Sequence, residues 1–147
     1  ANPIDIHRAT DAVLVQLDLL AQQYPQLLFV ATSNFPGAVD SAFTSRCDLV
    51  VHVPLPDRDA CRKILIECLT ALGQTYAAVG RLAEGRAIDS CAEASVGLDG
   101  RTIRKTVAAA LASTLEVALD PNRLTHAHLA ASLRAAKQAR AGGGLAQ

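Results

Sequence analysis

Residues 27–56 read LLFVATSNFPGAVDSAFTSRCDLVVHVPLP, and the reading of this stretch decides the fold class. Leu27 to Thr32 is a short apolar run with β-branched and aromatic members and no polar alternation, the pattern of a strand covered on both faces. Ser33-Asn34-Phe35-Pro36-Gly37 breaks the chain, and Ala38 to Arg46 has the composition of a short helix. Leu49 to Val53 then repeats the strand pattern before Pro54 and Pro56 close it. Two such runs around a helix predict two parallel strands of an α/β sheet.

Outward from this stretch the pattern is helical. Between Ile4 and Gln23, Ala9, Val13, Leu17 and Leu20 recur at helical spacing, and Pro25 ends the segment. On the other side Asp57 is placed to cap a helix over Arg58 to Leu72, stopped by Gly73. Helices over Leu82 to Ala94 and Arg101 to Leu119 follow, separated by Gly97-Leu98-Asp99-Gly100, and Thr125 begins a last one reaching about Arg140. Four helices in series predict a bundle. The expected organisation is therefore an α/β piece over 1–56, an all-α piece over 57–141, and a flexible tail over 142–147 that contains Gly142-Gly143-Gly144. A two-stranded parallel sheet is not stable by itself, and the chain opens on Ala1, so further strands are expected in a segment N-terminal to this one.

Composition narrows the function. The 147 residues, half of them hydrophobic, suffice for one core. Lys plus Arg and Asp plus Glu are equal at 14 each, which leaves no long-range field for nucleic acid or an anionic membrane. Aromatic residues make up only 3%, too few for a base-stacking platform. Cys47, Cys61, Cys68 and Cys91 form no CxxC pair and read as reduced structural residues. Charges or prolines interrupt every apolar stretch before it reaches the ~20 residues a membrane helix needs, and a cytoplasmic location is expected.

The order strand, Thr-Ser-Asn, short helix, Arg-Cys-Asp, strand, Pro-Leu-Pro-Asp, helical bundle resembles the C-terminal half of a AAA+ ATPase module, its second region of homology plus lid. Within that superfamily, residues 2–8 (NPIDIHR) leading into 12–18 (AVLVQLD), with GLDGRTIRK at 97–105, are similar to the pachytene checkpoint protein 2 branch, whose members remodel HORMA-domain proteins. The resemblance implies ATP and magnesium as cofactors, held mainly by an absent N-terminal half. It also implies neighbouring ATPase subunits in a hexameric ring and a HORMA-domain substrate.

It further implies roles for four residues. Asn34, directly after the first run, corresponds to sensor 1, where a neutral amide orients the attacking water; read alone, it starts an Asx turn before Pro36. Arg46 corresponds to an arginine finger, suited by its planar permanent charge to a neighbour's phosphates; read alone, it is a surface cation pairing with Asp48 or Asp40. Here the family's Arg-Pro-Gly-Arg string is replaced by Thr44-Ser45-Arg46. Arg101 corresponds to sensor 2 and, with Gly100, to the cofactor contact of the lid; read alone, Arg101, Arg104 and Lys105 form a cationic helix face, and Gly97 and Gly100 end one helix and start the next.

Other chemistry finds less support. His126 and His128 are two apart, a poor metal pair, and read as solvated. Cys61 and Cys68 read as small core residues. No Gly-x-x-x-x-Gly-Lys-[Ser/Thr] occurs, nor a strand ending in Asp-Glu, so this chain is not expected to hydrolyse ATP alone. Two rivals stand beside the remodelling ATPase: another AAA+ unfoldase or clamp-loader relative, and a non-catalytic helical interaction module in which Asn34, Arg46 and Arg101 are structural.

Overall fold

The structure, a computed structural model, describes residues 3–34 and 41–143. It divides into two compact units between His52 and Val53. In chain order the helices are α1 (Pro3–Gln23), α2 (Ser41–Thr44), α3 (Arg58–Gly73), α4 (Ala77–Arg81), α5 (Ile88–Ser95), α6 (Gly100–Ala110), α7 (Leu115–Leu119), a 3-10 turn at Pro121–Arg123, and α8 (His126–Gly143).

The expected α/β piece is corrected: no strand forms among the described residues. Leu27–Val30 and Leu49–Val51 carry the composition of buried strands but stand exposed, with Leu28 at 87%. An extended segment cannot satisfy its own N–H and C=O groups, so a strand requires a neighbour to pair with. Neither run makes a strand ladder within the described chain. The parallel P-loop core drawn from the resemblance is thereby overturned for this chain.

In the first unit α1 buries Leu14 and half-buries Leu17, while Val13 and Leu20 are exposed, so its inner face is turned one position from the expected one. Pro25 ends it in a turn closed by the Leu27 N–H on the Tyr24 carbonyl (3.0 Å). Of the expected helix over 38–46, the described part is α2, and Ala38 to Asp40 lie outside the described residues.

The second unit is a helical bundle built on α3. Cys61, Leu65 and Leu69 recur every four residues and are fully buried, the stripe that a helix lays into a core. α3 packs on α4, α5 and α6, and α8 packs on α5 and α6. Ile88 and Cys91 of α5, Ile103 and Val107 of α6, and Leu129 and Leu133 of α8 complete the core. Burying one such aliphatic side chain contributes roughly 1.5–3 kcal/mol.

Local chemistry sets the helix ends. Asp57 caps α3, accepting the Ala60 N–H at 2.8 Å. Asp99 caps α6, its Oδ1 accepting the Thr102 N–H and its Oδ2 the Thr102 hydroxyl, both at 2.9 Å. The Thr125 hydroxyl accepts the His128 N–H at 3.3 Å at the start of α8. One expected helix is shortened and another is divided. Gly85 at φ +74° breaks Leu82–Ala94, so that α5 begins only at Ile88. Turns after α6 and the Thr114 cap, which accepts the Val117 N–H at 3.3 Å, split Arg101–Leu119 into α6 and α7. Between α3 and α4 the backbones meet at Gly73 and Gly80, where a Cβ on Gly73 would stand 2.6 Å from the Gly80 Cα.

Candidate interaction surface

The four residues singled out in the sequence fall into separate units. Asn34 is exposed at a bend after the unpaired Leu27 run. Arg46 follows α2, its Nε donating to Asp18 Oδ2 of α1 at 3.1 Å and its Nη1 to the Ala42 carbonyl at 2.7 Å. The cation is thus held by a surface carboxylate, on a partner that the sequence did not single out. Gly100 and Arg101 belong to the second unit as the first two residues of α6. Arg101 is exposed, and a Cβ on Gly100 would lie 3.4 Å from Ile64 Cδ1 of α3, so the glycine marks a close helix approach. No single unit assembles all four.

Several other charged groups are committed to the scaffold. Arg62 and Arg58 of α3 reach Asp89 of α5, and Arg104 of α6 reaches Glu67 of α3 at 2.9 Å. Arg140 of α8 reaches the capping Asp99 at 3.0 Å. Asp99 is held below the usual carboxylate range, first by the Thr102 N–H, then by the Thr102 hydroxyl, with Arg140 adding to them. Two Thr102 donors that favour the ionised form explain the direction.

The expectation that both histidines are solvated is corrected. His126 is half-buried and its Nε2 lies 2.9 Å from the Leu82 carbonyl, which requires the proton on Nε2 and ties the start of α8 to the turn after α4. His128 is half-buried with its Nδ1 shielded and without a partner. The thiols of Cys61, Cys68 and Cys91 are all pushed up by burial, the opposite of an activated nucleophile. Among the described residues no group of three or more His, Cys, Asp or Glu could hold a metal ion, and no helix is long and apolar enough to cross a membrane.

What the surface offers instead is exposed aliphatic area. In the first unit it comprises Leu27–Val30, Leu49–Val51 and the outer residues of α1. In the second it includes Leu115 and Leu119 of α7, 78% and 79% exposed, beside Glu116, Asp120 and Arg123, as well as Val53 and Leu55. Large apolar patches on a protein surface mark interaction sites. The α7 pair escaped the sequence reading, which ran one helix through Leu119. A signal was present: in Leu115-x-Val117-x-Leu119 the alternating residues cannot share one helix face, so burying Val117 turns the leucines out.

The chain is 60% identical to CD-NTase-associated protein 6 of Pseudomonas aeruginosa over 144 residues, 98% of this chain and 47% of that protein. It is 36% identical to a pachytene checkpoint protein 2 homologue of Xenopus tropicalis over 71 residues, 48% of this chain and 16% of the relative. A homologue from Oryza sativa subsp. indica is likewise 36% identical over 72 residues. The chain thus spans about half the length of the first of these relatives and a much smaller share of the others. No family model matches it, and no solved structure matches it significantly. The similarity to pachytene checkpoint protein 2 is met over about half of the chain. The wider classification as a AAA+ ATPase is corrected. The names of the similar proteins state association with a CD-NTase and a pachytene checkpoint, and the described residues are helical without a sheet.

Proposed function

We propose that this chain is a helical protein-interaction module that binds a partner protein without catalysing a reaction itself. The observation that carries the reading is the 60% identity, along 98% of the chain, to a protein named for its association with another. The outward leucines of α7 and the exposed runs of the first unit supply apolar area for such a contact. Of the two cations that the resemblance assigns to phosphate, Arg46 is engaged with Asp18, and Arg101 stands exposed at the start of α6. Two partner classes follow from the likenesses, a HORMA-domain protein from the pachytene checkpoint similarity and a CD-NTase from the name of the other relative.

Titration calorimetry of the full-length protein with each partner class tests this. Binding of at least one at micromolar concentrations is expected, retained in Arg46→Ala and Arg101→Ala. Absence of binding to both, or an ATP turnover that collapses in Asn34→Ala, Arg46→Ala and Arg101→Ala with folding preserved, would sink the proposal.

A further inference from the structure

The interaction reading leaves open which surface meets the partner, and α7 carries an answer. Val117 is fully buried. A helix advances about 100° per residue, so positions two before and two after a buried residue lie on the far side. Leu115 and Leu119 therefore point outward together, one turn apart. α7 cannot roll to hide them without drawing Val117 out of the core.

The surface is also held in place. Thr114 caps α7 at one end. At the other, Asp120 Oδ1 accepts the Asn122 N–H at 3.1 Å, and Asn122 Oδ1 in turn accepts the Ala78 N–H of α4 at 3.1 Å. The leucines thus border a preformed shallow groove of ≈ 540 Å³, lined by Leu115, Glu116, Leu119, Asp120 and Arg123. A preformed groove loses little ordering entropy when it is filled.

Charge at the groove selects the occupant. Arg123 bonds to Glu116 and its Nε lies 3.8 Å from Asp120 Oδ2. Two carboxylates share one guanidinium, which leaves one negative charge uncompensated beside the leucines. We propose that α7 and the 3-10 turn form a docking site for an amphipathic partner segment that presents two aliphatic side chains one helical turn apart, followed by a Lys or Arg. The aliphatic pair packs on Leu115 and Leu119 in helix-in-groove fashion, and the cation completes the Glu116–Asp120–Arg123 cluster. This proposal rests on the interaction reading and locates its surface.

The test is a methyl NMR titration of the chain with a synthetic helical peptide bearing two leucines four residues apart and a lysine in the next turn, and with its lysine-to-glutamate counterpart. The lysine peptide is expected to shift the Leu115 and Leu119 methyls, and the glutamate peptide to bind roughly fivefold more weakly or worse, the scale of a lost exposed ion pair. Leu119→Asp should abolish the shifts while its Leu65 and Ile103 methyls keep their wild-type positions, which shows the fold intact. Equal affinity for both peptides, or shifts that persist in Leu119→Asp, would overturn the site, as would no response. Shifts confined to Leu27 and Leu28 would also overturn it, while leaving the protein-interaction reading standing on its own calorimetric test.

Discussion

The two units treat similar apolar material in opposite ways. The second buries Leu65, Leu69, Ile88, Leu98, Ile103, Leu129 and Leu133 completely, whereas the first leaves Leu27–Val30 and Leu49–Val51 in solvent. Hydrophobicity alone does not separate them, since 27–30 is a denser apolar run than any in α3. The difference lies in the backbone. A helix satisfies its own N–H and C=O groups and needs neighbours only for its apolar stripe, so α3, α5, α6 and α8 can assemble from one chain. An extended run depends on a partner for every backbone hydrogen bond before its side chains can be covered.

The sharpest way to break this comparison is truncation at one site in each region. Leu65→Ala empties a fully buried position in the bundle and should cost about 2–5 kcal/mol. Leu28→Ala, at a position already in water, should change stability by no more than about 0.5 kcal/mol. Urea denaturation followed by far-ultraviolet circular dichroism measures both. A Leu28→Ala loss as large as that of Leu65→Ala would mean that the first unit is packed where the structure shows it exposed.

A second substitution probes how tightly the bundle closes. Gly73→Ala places a methyl 2.6 Å from the Gly80 Cα, so a backbone rather than a flexible side chain must move. The expected loss is about 1–3 kcal/mol by overpacking. Gly142→Ala, where a methyl would meet nothing within 4 Å, is the control, and its thermal midpoint should stay at or above wild type. A Gly73→Ala protein as stable as wild type would show that α3 and α4 are held less closely than described.

Legibility followed the same division. The bundle was readable because its signals are local: Asp57 ahead of α3, Gly73 at its end, and the Gly97-Leu98-Asp99-Gly100 break before the next helix. Two breaks inside it were missed for one reason. Helical periodicity continues through Glu84-Gly85 and Ser113-Thr114, while a positive φ at Gly85 and a threonine cap are settled by single backbone torsions. The strand reading failed because a fully apolar run states that a segment prefers to be covered, not that this chain covers it. Arg46 was readable as a paired surface cation but not its partner, because Asp18 lies 28 residues away on α1. The outward leucines of α7 required knowing where α6 ends.

Asp99 sharpens the comparison from the electrostatic side. Removing the cap with Asp99→Ala should cost about 1 kcal/mol, while Asp99→Asn keeps a good capping acceptor and should cost less. The pH dependence separates the two contributions of the carboxylate. Its folded value lies below the ordinary 3.8, so the ionised form is the stabilising one. Its contribution is complete above pH 3.8 and is lost as pH falls through the lower folded value. Wild type should therefore keep its full advantage over Asp99→Asn near neutrality and lose it below that pH. A constant gap from pH 7 down to pH 3 would contradict the role of the Thr102 donors.

Arg46 gives a small expected effect and bears most directly on function. Its ion pair with Asp18 is exposed on both sides, 42% and 50%, and solvent and salt screen such a pair. Arg46→Ala should therefore cost no more than about 1 kcal/mol, and raising the salt concentration should shrink the difference from wild type. If the pair is the whole role of Arg46, Asp18→Ala will reproduce the small loss, and the double variant will lose no more than either alone. A double variant whose loss is the sum of the two singles would mean that Arg46 and Asp18 act independently. Arg46 would then be a cation available for another contact, and the argument that its charge is already committed would fail.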